Sequence, residues 1–236
     1  MGLSYICPTE HADFDPQDNG YGHLNVEAYS RELAVCRGQS NGQITVLQGI
    51  EVDYQPRFGA EIKDFLAQHT FDFVIGSTHY VEGLFVANAL LDAYDPETVC
   101  HRYFEAVRQT AASGLFDVVG HLDLIKRHAI RRWGRFDRHR YADEIETVLQ
   151  AALETGTGLE INTSGLRGGA AETFPGLETL CRYRKLGGQV LTLGSDAHRV
   201  ADLGKNIHDG LSLAQAAGFE NIVIFVAREP RWLEIG

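Results

Sequence analysis

Apolar residues in this chain gather into short runs, and between the runs they recur every three or four positions. The short runs are LSYICP (3–8), ITVLQGI (44–50), FDFVIG (71–76), FDVVG (116–120), GLEIN (158–162), QVLTLG (189–194) and NIVIFV (221–226). Runs of this length, bounded by turn formers, predict buried strands. The segments between them include VEAYSRELAVC, AEIKDFLAQH, PETVCHRYFEAVRQTAASG, RYADEIETVLQAALETG and FPGLETLCRYRKLGG. These carry the helical period, and several close on a glycine that can serve as a C-cap.

Strand then helix, repeated without a linker or low-complexity break, predicts one α/β domain over residues 1–236 built on a parallel sheet. The number of repeats fits a closed or nearly closed (β/α) barrel better than an open doubly wound sheet. No G-x-G-x-x-G turn follows the first strand, which weakens a dinucleotide-binding reading.

Chemistry enters at the ends of the runs. LSYICP leads to Thr9-Glu10-His11, QGI to Glu51-Val52-Asp53, VIG to Ser77-Thr78-His79 and VVG to His121-Leu122-Asp123. LEIN leads to Thr163-Ser164-Gly165-Leu166-Arg167, and LTLG to Ser195-Asp196-Ala197-His198. In a barrel of parallel strands those ends share one rim. A lone histidine near a strand end is more often a hydrogen-bonded filler than a ligand, but repetition at one topological position is hard to obtain from packing. His11, Glu51, His79, His121, Asp196 and His198 are therefore the expected metal ligands. Nitrogen and carboxylate donors without thiolate suit zinc, manganese or iron in a hydrolytic role.

Arg167 lies between glycines, where a guanidinium either grips a phosphate or stands solvated in a loop. Arg199 has a weaker claim of the same kind, and His23 either lines the pocket or stabilises its turn. His69, His101, His128, His139 and His208 are expected at the surface or at caps. The basic run KRHAIRRWGRFDRHR (126–140) is expected to be a loop that helps to steer anions. Asp53, Asp123, Glu10 and Asp13 are placed either to orient ligating imidazoles or to act as caps and solubilising charges.

Composition narrows the partners. A net charge of -11 argues against a broad nucleic-acid surface and favours cations and local phosphate contacts. The four cysteines are scattered without C-x-x-C spacing, as expected of reduced thiols, and no run approaches the length of a membrane span. A cytoplasmic location follows as the expectation.

These clusters resemble the PHP family, named for polymerase and histidinol phosphatase. TEHAD, GIEVDY, GSTHY, GHLDLIKR and GSDAHR are similar to its successive motifs, and EINTSGLR followed by GSDAHR resembles its histidinol-phosphatase branch. The resemblance implies a distorted seven-stranded barrel holding two or three divalent metals and hydrolysing L-histidinol phosphate in histidine biosynthesis. It implies Glu51 as a bridging carboxylate, with His79 and His121 completing one metal site. His11 and His198 would serve a second metal, Asp196 a third, and Arg167 would contact the substrate phosphate, with Arg199 and His23 nearby. Glu51, Asp196 and Arg167 would then carry the catalysis.

Members of that family open with a strand carrying H-x-H, and this sequence contains no H-x-H. The expectation is a barrel without its first strand and helix, MGLSYI being the end of that helix. NIVIFV then becomes either a peripheral strand or a partial replacement. Two unpaired edges invite aggregation, pairing with a second copy or refilling by another segment, and metal content should fall below that of the family. Rival readings are an exonuclease, a phosphotyrosine phosphatase, or a non-catalytic paralogue that binds a phosphorylated ligand.

Overall fold

The computed structural model describes residues 2–236; the expectation that Met1 interrupts the fold lies outside them. In chain order the elements are β1 (Tyr5–Ile6), β2 (Thr9–Ala12), α1 (Val26–Ser40), β3 (Thr45–Val46), β4 (Gly49–Asp53), α2 (Gly59–Gln68) and β5 (Phe73–Ser77). A small hairpin of β6 (Tyr80–Val81) and β7 (Leu84–Phe85) precedes α3 (Ala89–Ala93), α4 (Pro96–Ala112), β8 (Val118–Val119), α5 (Ile125–Trp133) and α6 (Ala142–Thr155). The remainder is β9 (Gly158–Asn162), α7 (Leu177–Lys185), β10 (Leu191–Gly194), α8 (Ile207–Ala216), β11 (Asn221–Val226) and β12 (Glu229–Glu234).

Six strands form one parallel sheet in the order β10-β9-β8-β5-β4-β2. Parallel pairing of β1 with β3 extends the β2 and β4 edge toward the strand N-termini. The sheet curls far enough to bring its outer strands together at the rim. The rings of His11 on β2 and His198 beyond β10 lie 6.1 Å apart between centroids. This is the (β/α) barrel geometry expected, with six parallel strands and an open seam between β2 and β10.

Strand alternation decides what faces the inside. Ile50, Val52 and Val74 point outward and pack with Ile62 of α2, Phe71 and Phe116. Leu159 and Ile161 join the larger core, in which Val99, Tyr103 and Val107 of α4 lie with Ile145, Val148 and Leu149 of α6. Helix α4 begins cleanly because Asp95 accepts from the backbone N–H groups of Glu97 and Thr98, with Pro96 in the first turn. The intervening strand positions, Glu51, Ile75, Ser77 and Glu160 among them, turn to the concave side. There the apolar floor gives way to polar groups near the strand C-termini.

The floor bears out one of the two expectations for NIVIFV, a peripheral strand rather than a replacement within the main sheet. NIVIFV becomes β11, which pairs only with β12, antiparallel, rather than entering the main sheet. It crosses the N-terminal end of the barrel, placing Val223 and Phe225 against Phe73, Ile75 and Val118. Phe225 stacks on Phe73 at 5.3 Å. The hairpin turn at Ala227 and Arg228, both left-handed, is latched to the sheet. The Ala227 N–H donates to Asp72 Oδ1 at 3.1 Å, and Arg228 Nε donates to Asp117 Oδ1 at 3.0 Å. A cavity of about 910 Å³ runs from this floor up the seam to the rim, lined by Ile6, Phe73, Leu193 and Ile222 below and by His11, Glu51, Asp196 and His198 above.

The basic run is not a loop. Its first half is helix α5, closed by left-handed Gly134, whose N–H donates to Ile130 O. Among the described residues no helix is long and apolar enough to cross a membrane.

Candidate metal centre

Two of the expected ligands lie within strands rather than after them. His11 on β2 and Glu51 on β4 are register partners, side by side on the concave face. His79 lies just beyond β5 and His121 just beyond β8, as expected of strand-end residues. His121 and Asp196 both hold left-handed backbone, with φ of 25° and 48°. Such conformations are costly outside glycine and concentrate at functional sites.

Glu51, His79 and His121 converge. Glu51 Oε1 lies 3.0 Å from His121 Nε2 and 3.5 Å from His79 Nε2, and the two imidazole nitrogens are 3.2 Å apart. Among the described residues this is the one set in which three metal-ligating side chains close on a single point. Bonds of roughly 2.0–2.1 Å at tetrahedral angles put neighbouring donors about 3.3 Å apart. The three separations bracket that value, so the donor set fits a zinc-sized cation.

Glu51 also reaches the other way. Its Oε2 is 3.8 Å from His11 Nε2, so the carboxylate spans two imidazole groups, as a bridging ligand must. Ser77 Oγ donates to Glu51 Oε1 at 2.5 Å and fixes the carboxylate plane. His11, Asp196 and His198 are near but do not close on a common point. His198 Nδ1 stands 3.3 Å from Asp196 Oδ1 with its side chain 73% exposed.

Electrostatics keep Glu51 and His79 in coordinating form, whereas His121 carries a proton that a metal ion would have to displace. Burial opposes charge on Glu51, but His121, His79 and His11 around it hold the carboxyl below the usual carboxylate range. Burial, aided by His121 and His11, lowers His79 to about 3, so its ring is neutral. His121 is buried too, yet its hydrogen bond to Glu51, with the charges of Glu51, Glu160 and Asp196, outweighs burial and raises it to about 9.

Asp53 and Asp123 do not act through imidazole rings. Asp53 Oδ1 accepts from the backbone N–H of His79 at 2.6 Å and of Tyr80 at 3.2 Å, setting the turn that presents His79. Asp123 instead pairs with Lys126, 3.0 Å away. Arg167 sits at the end of a 3-10 turn, Thr163–Arg167, and its Nη2 donates to the carbonyls of Ser195 at 2.7 Å and Asp196 at 3.0 Å. It thus braces the β10 exit, while its Nη1 is buried without a polar partner. His23 and Arg199 are exposed on the surrounding loops and, among the described residues, make no side-chain hydrogen bond or ion pair.

Two residues escaped the sequence reading. Glu160, on the concave face of β9, accepts from the backbone N–H of His121 at 2.9 Å, and burial raises its carboxyl to about 7. The signal was present: GLEIN repeats the Gly-apolar-Glu-apolar pattern of GIEVD, with the acid at the inward position. Arg127 is the second. Its Nη2 donates to Ser164 Oγ at 2.5 Å and lies 4.0 Å from Asp196 Oδ2, while Ser164 Oγ donates to that same oxygen at 2.9 Å. Burial lowers the Arg127 pKa against the opposing charge of Asp196, and nearby Arg167 lowers it further. Both guanidinium groups meet Asp196, Arg127 at its carboxylate and Arg167 at its carbonyl, on the same side of the rim.

The comparisons agree with this geometry. The model of the PHP domain matches residues 1–164. The histidinol-phosphatase of Lactococcus lactis subsp. lactis is 29% identical over 95% of this chain and 84% of its own length. That of Bacillus subtilis is 26% identical over 86% of this chain and 85% of its own length. The crystal structure of the Lactococcus lactis histidinol phosphate phosphatase, complexed with zinc, L-histidinol and phosphate, superposes with a TM-score of 0.85 at 25% identity, covering 98% of this chain and 88% of that one. Strand-end motifs, curled parallel sheet and family match coincide, and the chain belongs to the PHP domain family.

Proposed function

We propose that residues 1–236 form one catalytic domain, a metal-dependent phosphomonoesterase that hydrolyses L-histidinol phosphate to L-histidinol and phosphate as a cytoplasmic step of histidine biosynthesis. The observation that carries this reading is the convergence of Glu51, His79 and His121 beside a pair of guanidinium groups. A ligand-dense, water-accessible centre next to two cations suits a small, doubly charged phosphate ester. The names and ligands of the Lactococcus lactis relative point to the same substrate.

Glu51, His79 and His121 would hold one divalent ion, and Glu51 with His11 and His198 a second, with Asp196 adding a further carboxylate. Zinc is favoured by the donor set and by the relative, and manganese or iron fit the same donors. Such ions supply Lewis acidity toward phosphoryl oxygens and lower the pKa of water. The chain's own groups do the rest. Arg127 and Arg167 would orient the phosphate and offset its charge through guanidinium contacts. Asp53 and Ser77 fix the ligands, so little reorganisation is needed when charge develops. Exposed His23 and Arg199 would meet only the outer part of the substrate.

Turnover of histidinol phosphate by zinc- or manganese-loaded protein, set beside that of a dinucleotide and a phosphotyrosyl peptide, tests the reading. Histidinol phosphate should be preferred by at least about tenfold in kcat/KM, or about 1.4 kcal/mol. Preference for either competitor, or phosphate binding without turnover of any of the three, would overturn it.

A further inference from the structure

Lys126 is among the most buried charged groups of the chain, its side chain 3% exposed, and no role in binding substrate or metal accounts for it. A buried ammonium is costly unless fully paired. Here it is: Nζ lies 3.0 Å from Asp123 Oδ2, 2.9 Å from Glu172 Oε1, and donates to Thr173 O at 3.0 Å. These three acceptors belong to two separate segments. Asp123 follows the ligand His121 at the β8 exit, whereas Glu172 and Thr173 close the loop that carries Arg167.

The same anchor reaches Arg127. Phe174, next to Thr173, is locked to Asn162 by backbone hydrogen bonds in both directions, each 2.9 Å. Its ring carries Lys126 Nζ at 5.0 Å from the centroid and Arg127 Cζ at 4.9 Å. The loop doubles back so tightly that a Cβ on Gly165 would lie 2.1 Å from Glu172 O, which leaves glycine as the residue that fits. Fixing Thr173 therefore fixes the ring on which Arg127 lies and the loop from which Arg167 extends.

We propose that Lys126 is a positioning residue, a buried strut that sets Arg127 and the Arg167 loop relative to the His121 ligand so that both guanidinium groups meet one phosphate. The inference rests on the phosphomonoesterase reading and adds to it the element that spaces its anion-binding pair. The strut touches neither substrate nor metal, so its loss should weaken phosphate binding while metal content stays unchanged.

The experiment uses zinc-loaded protein, with inorganic phosphate as the equilibrium probe and histidinol phosphate as the kinetic one. Lys126→Met should raise the phosphate Kd and the KM by about tenfold, with kcat falling less than about threefold. In an Arg127→Ala background the same substitution should cost clearly less than in the wild type, since one of the two groups it positions is gone and only the Arg167 loop remains to be displaced. Should Lys126→Met fail to fold because it strands the Asp123 carboxylate, the double variant Lys126→Met/Asp123→Asn removes both charges, and the same split is expected. Phosphate affinity unchanged in the variants, equal losses in kcat and KM, or effects additive with Arg127→Ala would overturn the strut. Wild-type protein that binds no phosphate would overturn the phosphomonoesterase reading as well, so the two failures are distinguishable.

Discussion

Glu51 and His121, 70 positions apart in the sequence, meet at 3.0 Å on the concave face of the sheet. Their meeting depends on β4 and β8 flanking β5 in parallel, with both exits at the same rim. Glu51→Gln keeps the shape and removes the charge. Metal affinity should fall by more than about 100-fold, beyond what losing a supporting group costs. Elemental analysis after gel filtration checks this, with far-UV circular dichroism expected to be unchanged.

The unequal assembly of the site predicts its stoichiometry. Glu51, His79 and His121 are preformed, whereas exposed His198 stands apart from the point where those three close. One ion should bind tightly and a second weakly. Titration with zinc against a competing chelator should resolve these two classes, and three tight equivalents per chain would contradict the prediction.

Asp53 presents His79 through the backbone, so what counts is an acceptor oxygen rather than a charge. Asp53→Asn retains an oxygen able to accept from His79 and Tyr80, and Asp53→Ala does not. Metal affinity should drop about 10- to 100-fold in Asp53→Ala and clearly less in Asp53→Asn, by the measured costs of removing groups that support ligands.

Burial, reinforced by Arg127 and Arg131, lowers His128 from an ordinary 6.5 to about 4. The unfolded chain therefore takes up a proton below pH 6.5 that the folded chain refuses until about pH 4, and stability is lost across that window as pH falls. His128→Gln abolishes this contribution. Urea unfolding of metal-free protein should show the variant gaining roughly 1–2 kcal/mol relative to wild type at pH 5 compared with pH 7.5.

How much of this was legible in the sequence follows from what patterns encode. The strands that carry His11, Glu51, His79 and His121 are apolar runs ending in donors, and the parallel α/β rule places those ends together without further information. The partner of a run is not encoded in its period. NIVIFV reads like the other strands, yet it crosses the barrel floor because Val223 and Phe225 find Phe73 and Ile75 there. Helix α5 was missed because its buried face includes Lys126, which breaks the apolar stripe that marks a helix. Arg127 was hidden for the same reason, one arginine in a basic run, until the fold placed it over Phe174 and beside Asp196.

The central claim is that this centre hydrolyses a phosphomonoester with metal held by Glu51, His79 and His121. Its most direct test is phosphate release from L-histidinol phosphate by the zinc-loaded protein, followed through chelation and metal re-addition. Steady turnover that is abolished by the chelator and restored by zinc or manganese is the predicted result. Turnover that survives complete removal of metal, or no turnover by protein carrying bound zinc, would contradict it.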